Sequence, residues 1–178
     1  MTVLEFSEWM PDLPPLNNPG CHGIRNVLPR PGGYAPFPGF SVTTTALDDL
    51  CLAAYGVRSS DRLAHTLAAD KSKLYRLQDA VWQDISRSAY NDASSWEGVQ
   101  WRDEFYMTSK ENPLQVVDLG ITPYAYADAP GSPPQAKYID VVRDFLMVAN
   151  VIDADGDNPF RVRWSEFNDP TSWVPGQN

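Results

Sequence analysis

The pattern of apolar and polar positions is clearest between Tyr138 and Trp173. Two apolar runs, Tyr138-Ile-Asp-Val-Val and Phe145-Leu-Met-Val-Ala, flank an Arg143-Asp144 corner; an acidic loop follows, and Phe160, Val162 and Trp164 then alternate with Arg161 and Arg163 before an Asp169-Pro170 turn. Runs of strand length separated by turn residues predict a three-stranded antiparallel meander. An earlier stretch repeats it, with Val99-Gln-Trp-Arg-Asp-Glu-Phe-Tyr-Met, a loop through Asn112-Pro113, and Leu114 to Leu119. Both share Arg-Asp followed within two residues by an aromatic residue and then Met, and Phe105 and Phe145 lie 40 positions apart (145 − 105).

Upstream, Lys73-Leu-Tyr-Arg-Leu and Val81-Trp-Gln-Asp-Ile alternate across a Gln78-Asp79-Ala80 turn, which predicts a strand pair. Leu50 to Gly56 and Arg62 to Ala69 are further strand candidates, although alanine and leucine leave a helix over Leu47 to Tyr55 open. Turn aspartates at Asp70, Asp103 and Asp144 space the units by 33 and 41 residues. Three or four strands in about 40 residues is the period of a β-propeller blade. The expected fold is therefore all-β, with about three propeller-like meanders over 40–178; the alternative is one sandwich whose hairpins resemble each other. Closed propellers have four or more blades, so the expectation is a longer chain or closure through other contacts.

Residues 1–39 read differently. Proline fixes φ and removes a donor, so Pro11 to Gly39 predicts neither a helix nor a central strand but an extended arm. Its apolar residues (Leu13, Leu16, Ile24, Val27, Leu28, Tyr34, Phe37) make it an arm laid against its own domain or a neighbouring subunit.

Charge narrows the partners. With 23 acidic and 14 basic residues the formal net charge is −9, which repels nucleic-acid phosphate and argues against tight non-specific DNA binding. No apolar run reaches transmembrane length, and the N-terminus has no signal-peptide pattern, so a soluble protein is expected. Cys21 and Cys51 are too few and too far apart for a disulfide framework or a zinc motif and read as ordinary thiols.

Candidate chemistry is sparse. Asp153, Asp155 and Asp157 alternate like part of a calcium loop, but the glycine falls too early and no bidentate Glu follows, so a solvated hairpin loop is the plainer reading. His22 and His65 lie in no nucleophile elbow or metal motif and read as structural. Gly32-Gly33 sits among prolines and forms no phosphate loop. Glu104, Glu111, Asp118 and Asp128 supply carboxylates for a glycosidase pair only if the fold sets two of them at the right separation. Of Trp9, Trp82, Trp96, Trp101, Trp164 and Trp173, three (Trp82, Trp101, Trp164) recur at strand positions and read as repeated core contacts rather than a sugar platform. No catalytic, metal or cofactor residue is expected.

Trp164-Ser-Glu-Phe-Asn-Asp-Pro-Thr-Ser-Trp173, taken with Tyr34-Ala-Pro-Phe-Pro-Gly and the Arg143-Asp-Phe hairpin, resembles the tail hub, or packaged-DNA stabilisation protein, of P22-like short-tailed bacteriophages and its nozzle relatives. The resemblance runs from about residue 11 to the end, on short motifs. The Ser…Asp…Trp turn is also similar to the Asp-box turns of sialidase-like propellers, without the usual glycine before the tryptophan. The hub resemblance implies a non-enzymatic ring, hexameric, below the portal and adaptor in the virion tail. It would be assembled in the host cytoplasm, with DNA passing an acidic lumen unbound and the proline-rich arm clasping a neighbour. A glycan-binding or glycan-hydrolysing propeller is the alternative.

Overall fold

The computed structural model describes residues 8–174, apart from 17, 19, 22 and 32. Among them there is no helix, and every strand pairing between the named strands is antiparallel. The chain divides into two compact units, Met1–Val42 and Thr43–Asn178.

In the first unit the proline-rich stretch folds back on itself. β1 (Val27–Arg30) and β2 (Gly33–Pro36) form a hairpin in which Pro29 faces Tyr34. Proline is tolerated because each strand of a two-stranded hairpin keeps a free edge. Trp9 and Cys21 bridge in parallel, with Met10 N donating to Cys21 O at 3.1 Å. The sequence pattern missed this hairpin, since proline suppresses the usual strand signal.

The second unit holds three sheets in chain order. The first is β3 (Ala53–Arg58), β4 (Ala64–Ala69), β5 (Leu74–Gln78) and β6 (Val81–Asp84). The second is β7 (Glu97–Trp101), β8 (Glu104–Ser109), β9 (Asn112–Asp118) and the short β10 (Ala127–Asp128). The third is β11 (Gln135–Val142), β12 (Phe145–Asp153) and β13 (Gly156–Trp164). Each is a simple meander, and none closes on itself.

Local chemistry explains where the strands begin and end. The helix left open at Leu47 to Tyr55 does not form: Ala53, Tyr55 and Val57 alternate inward with period two, and β3 follows that alternation. The β5–β6 turn places Asp79 and Ala80 both at positive φ, as a two-residue type I′ hairpin requires. Asn112-Pro113, expected in a loop, opens β9 instead, because the buried Asn112 side chain bonds Asn91 O at 3.0 Å and Ser109 Oγ at 2.9 Å. The acidic loop after Ala149 is also shorter than expected. β12 runs on to Asp153, a register shift beside Asn150 (φ 57°) absorbs the mismatch, and Gly156 (φ 98°) lets β13 start at once.

The second sheet organises the packing. On one side the first sheet lays Tyr55, Val57 and Leu67 against Phe105, Met107 and Val117. On the other, Val99, Trp101, Tyr106 and Leu114 of the second sheet pack on Ile139, Val141, Leu146 and Val148 of the third. Gly98 leaves room for this, since a Cβ there would lie 2.6 Å from Met107 Sδ and 2.7 Å from a Phe105 ring carbon.

The structural repeat differs from the one read in the sequence by one residue. The turns align Arg102 with Arg143, a spacing of 41 (143 − 102), so Phe105 corresponds to Leu146 and not to Phe145. A one-residue slip exchanges the two faces of a strand, and Phe145 accordingly points away from the core and stacks on Phe167 at 5.7 Å between ring centres. Asp70 is likewise not the partner of Asp103. It occupies the turn between β4 and β5, whereas the first hairpin of that sheet turns through Asp61, 42 residues (103 − 61) before Asp103. Trp101 is 6% exposed in the second core, but Trp164 is 49% exposed because its face has no sheet against it. Trp96 and Trp173 are the other buried tryptophans.

Phe105 is 1% exposed and Phe160 99%. Phe105→Ala is expected to cost about 3–5 kcal/mol by loss of transfer energy plus cavity, and Phe160→Ala to stay within about 0.5 kcal/mol. Urea unfolding monitored by tryptophan fluorescence measures both, and equal costs would contradict this packing.

Candidate functional site

All three sheets make their first hairpin turn at one end of the second unit, and hydrogen bonds join the three turns. Ser60 donates from both N and Oγ to the Asp103 carboxylate, each at 2.6 Å. Gln100 Nε2 donates to Arg58 O and Arg102 O, also at 2.6 Å. Arg102 Nη2 then donates to Asn168 Oδ1, and Asn168 N to Asp144 O at 2.7 Å. Arg62, Arg102 and Arg143 have φ of 69°, 56° and 55°, a left-handed conformation that non-glycine residues adopt only when their surroundings impose it. Each turn therefore displays an arginine beside an aspartate, which is the physical content of the Arg-Asp motif.

The turn of residues 165–173 is held from both sides. Ser165 exchanges bonds with Leu146, through N to O at 2.9 Å and through Oγ from Leu146 N at 3.1 Å. Asp169 accepts from Thr171 N and Oγ1 at 2.9 and 2.6 Å, which holds its carboxyl below the usual range, and Trp173 Nε1 donates to Pro170 O at 2.9 Å as its ring enters the second core. Gly131 (φ 79°) makes room, since a Cβ there would overlap Thr171 O.

Between the second and third of these first-hairpin turns lies a cleft of about 170 Å³ lined by Gln100, Arg102, Arg143, Asp144 and Asn168. Among the described residues the Arg143 side chain has no bond or ion pair partner. Two guanidinium groups beside an amide suit a small carboxylate or phosphate, because planar forks bind such groups bidentately, although Arg102 already donates to Asn168 and the Asp144 carboxylate lining the cleft opposes an anion. The first unit has a separate groove of about 480 Å³ lined by Cys21, Ile24, Val27, Tyr34 and Pro36, largely apolar in character.

Ser59, His65 and Asp61 come together in a manner no sequence motif signalled. His65 is 2% exposed; Arg76 Nε donates to its Nδ1 at 3.2 Å, and its Nε2 lies 3.1 Å from Ser59 Oγ. With Nδ1 accepting, the ring proton sits on Nε2 and donates to Ser59, whose hydroxyl donates onward to Asp61 Oδ1. In a nucleophilic triad the carboxylate orients the histidine and the histidine accepts the serine proton. Here the order of donation is reversed, and the chain Arg76 to His65 to Ser59 to Asp61 ties down the β3–β4 turn. Tyr124 completes the pocket, 5.3 Å from the His65 ring and with the Arg76 guanidinium 4.2 Å above it.

The remaining candidates separate. Glu104 and Asp118 face each other across β8 and β9, but Glu104 accepts from Tyr106 Oη at 2.7 Å and Asp118 from Gly120 N at 2.8 Å. Asp128 pairs with Arg87 at 2.7 Å, and Glu111 accepts from Ser94 Oγ at 2.8 Å. Asp153 is held below the usual carboxylate range, first by Arg161 at 2.6 Å, while Asp157 turns to Lys110 at 2.7 Å, so these carboxylates meet cations and not one another. Among the described residues no group of three or more acidic, His or Cys side chains is placed to hold a metal. Cys21 and Cys51 are both free thiols, and His22 lies outside the described residues.

No family model and no curated protein matches the chain in sequence.

Burial, and then the nearby Arg76 charge, lower the His65 pKa below its ordinary 6.5. A group whose folded pKa is depressed contributes stability above its unfolded pKa and loses it as pH falls toward the folded value. The urea midpoint is therefore expected to drop between pH 7.5 and 5.5, and His65→Gln to flatten that drop. An undiminished pH dependence in the variant would remove His65 as its source.

Proposed function

We propose that this chain is a structural, non-enzymatic component of a bacteriophage tail, of the hub or nozzle kind. The observation that carries the reading is the open-ended repeat. Three consecutive meanders stack face on face, and the sheet at the end of the series leaves an apolar face uncovered. A fold that buries its repeats only in part suits a protein that completes its packing by assembly.

In this reading the sheets are propeller-like blades. β7 packs beside both β3 and β11, so the first strands of the three sheets are neighbours, as the inner strands of blades are. Three blades fall short of the four to eight of closed propellers, which fits an incomplete propeller. The subunits form a ring, a hexamer, docked on the head–tail adaptor. A net charge of −9 lets DNA slide through the lumen without adhering. The first unit, with its hairpin and exposed Leu16, Phe37 and Phe40, serves as the clasp to a neighbouring subunit. The protein resides in the virion tail.

The Arg102–Arg143 cleft favours a second reading, a propeller-type module that binds acidic glycans. A guanidinium pair at one mouth is the feature such a module needs.

Native mass spectrometry of the full-length protein is expected to show a ring, and a strict monomer at high concentration would count against it. Deleting residues 1–39 is expected to prevent recovery of assembled tails; intact tails from that variant would refute the clasp. Saturable calorimetric binding of a sialylated oligosaccharide, lost in Arg143→Ala, would move the assignment to the glycan reading.

A further inference from the structure

The second sheet of the second unit receives the first sheet on one face and gives its other face to the third, while the first and third sheets each leave one face open. The first sheet gives Tyr55, Val57 and Leu67; the second receives them on Phe105 and Met107, and gives Val99, Trp101 and Tyr106 to the third. Shifting the second sheet's giving residues by the 41-residue repeat reaches Asp140, Val142 and Met147. These belong to a face of the third sheet on which Tyr138, Val142, Val162 and Trp164 are exposed. A shallow depression of about 380 Å³ crosses it, lined by Tyr138, Val142, Met147, Ala149 and Val162 among others. Exposed apolar side chains gathered on one face mark a candidate interaction surface.

The receiving face of the first sheet is the complementary one. Ala54, Gly56, Ala64 and Thr66 are exposed there, and a Cβ at Gly56 would meet nothing within 4 Å. Small side chains on an open sheet leave room for large ones. The charges match as well. Among the described residues Asp140, on the giving face, has only a local bond from Val141 N at 2.8 Å, and the Arg58 side chain, on the receiving face, has no bond or ion pair.

We infer that the outer face of the third sheet docks on the outer face of the first sheet of a second copy of this chain, head to tail, with Asp140 meeting Arg58. The contact repeats between molecules the packing made twice within one. Being heterologous, it generates a ring when the rotation closes. The inference rests on the self-assembly reading above and names its interface.

Sedimentation equilibrium on the full-length protein tests it, with thermal unfolding checking that each variant folds. Wild type is expected to associate. Asp140→Arg and, separately, Val162→Glu are each expected to weaken association about tenfold or more, and adding Arg58→Asp to Asp140→Arg to restore it within about threefold, in the range of couplings between close interfacial charges. Association that none of these variants alters would overturn the interface and leave self-assembly standing. Weakening by Asp140→Arg without rescue would show a different occupant, such as residues 1–42 of a neighbour, and would also overturn it. A strictly monomeric wild type would overturn the self-assembly reading itself.

Discussion

Everything in the second unit depends on a sheet that is buried on both faces. β8 runs from Phe105 to Ser109 without an exposed residue, since Phe105 and Met107 meet the first sheet while Tyr106 and Thr108 meet the third. A strand in that position has no water available, so its polar groups need partners within the protein. They have them. Thr108 Oγ1 donates to Ala136 O at 2.7 Å, Asn112 bridges to Asn91, and Gln115 accepts from Tyr90 Oη at 2.9 Å while donating to Asp128 at 2.6 Å. Burial pushes the Tyr90 hydroxyl up to about 12 and raises that of the buried Tyr126 well above its ordinary value. Both phenols thus remain neutral at physiological pH, and Tyr90 keeps its proton for the bond to Gln115.

That double burial also places the turns. Because the three sheets stack with their first strands adjacent, their first hairpins lie at one end and bond to one another through Ser60, Gln100, Asp103 and Asn168. The left-handed arginines are the cost of turning tightly where side chains must also bridge sheets. The polar cleft at that end and the apolar face on the third sheet are therefore two results of one packing arrangement. Ion pairs such as Lys73 with Asp48 and Arg161 with Asp155 lie at the solvent boundary and add little to stability by comparison.

Much of the strand order was legible because apolar alternation and turn residues are local signals. The Gln78-Asp79-Ala80, Arg102-Asp103 and Arg143-Asp144 turns lie where the turn residues predict them. Register was less legible. Aligning Phe105 with Phe145 is natural when like residues are matched, yet the fold aligns Phe105 with Leu146, because the geometry of the turn and not residue identity decides which face a side chain takes. The Ser59–His65–Arg76 chain could not be anticipated, since its members are separated by up to 17 residues (76 − 59) and meet only through the pairing of β3, β4 and β5. Periodicity predicts Trp164 in the core, but periodicity says that a face is apolar and not that anything covers it.

The amino-acid sequence by itself determined that this protein is built of strands, that the strands come as consecutive meanders with Arg-Asp corners, and that its surface is acidic. Those properties follow from side-chain alternation, turn propensity and charge count, each acting over a few residues. Tertiary structure decided which faces meet. It buried Trp101 and left Trp164 open, turned a histidine and a serine into a brace, and made three arginine turns neighbours. Each outcome depends on how one sheet lies against the next, and that contact joins residues about forty positions apart.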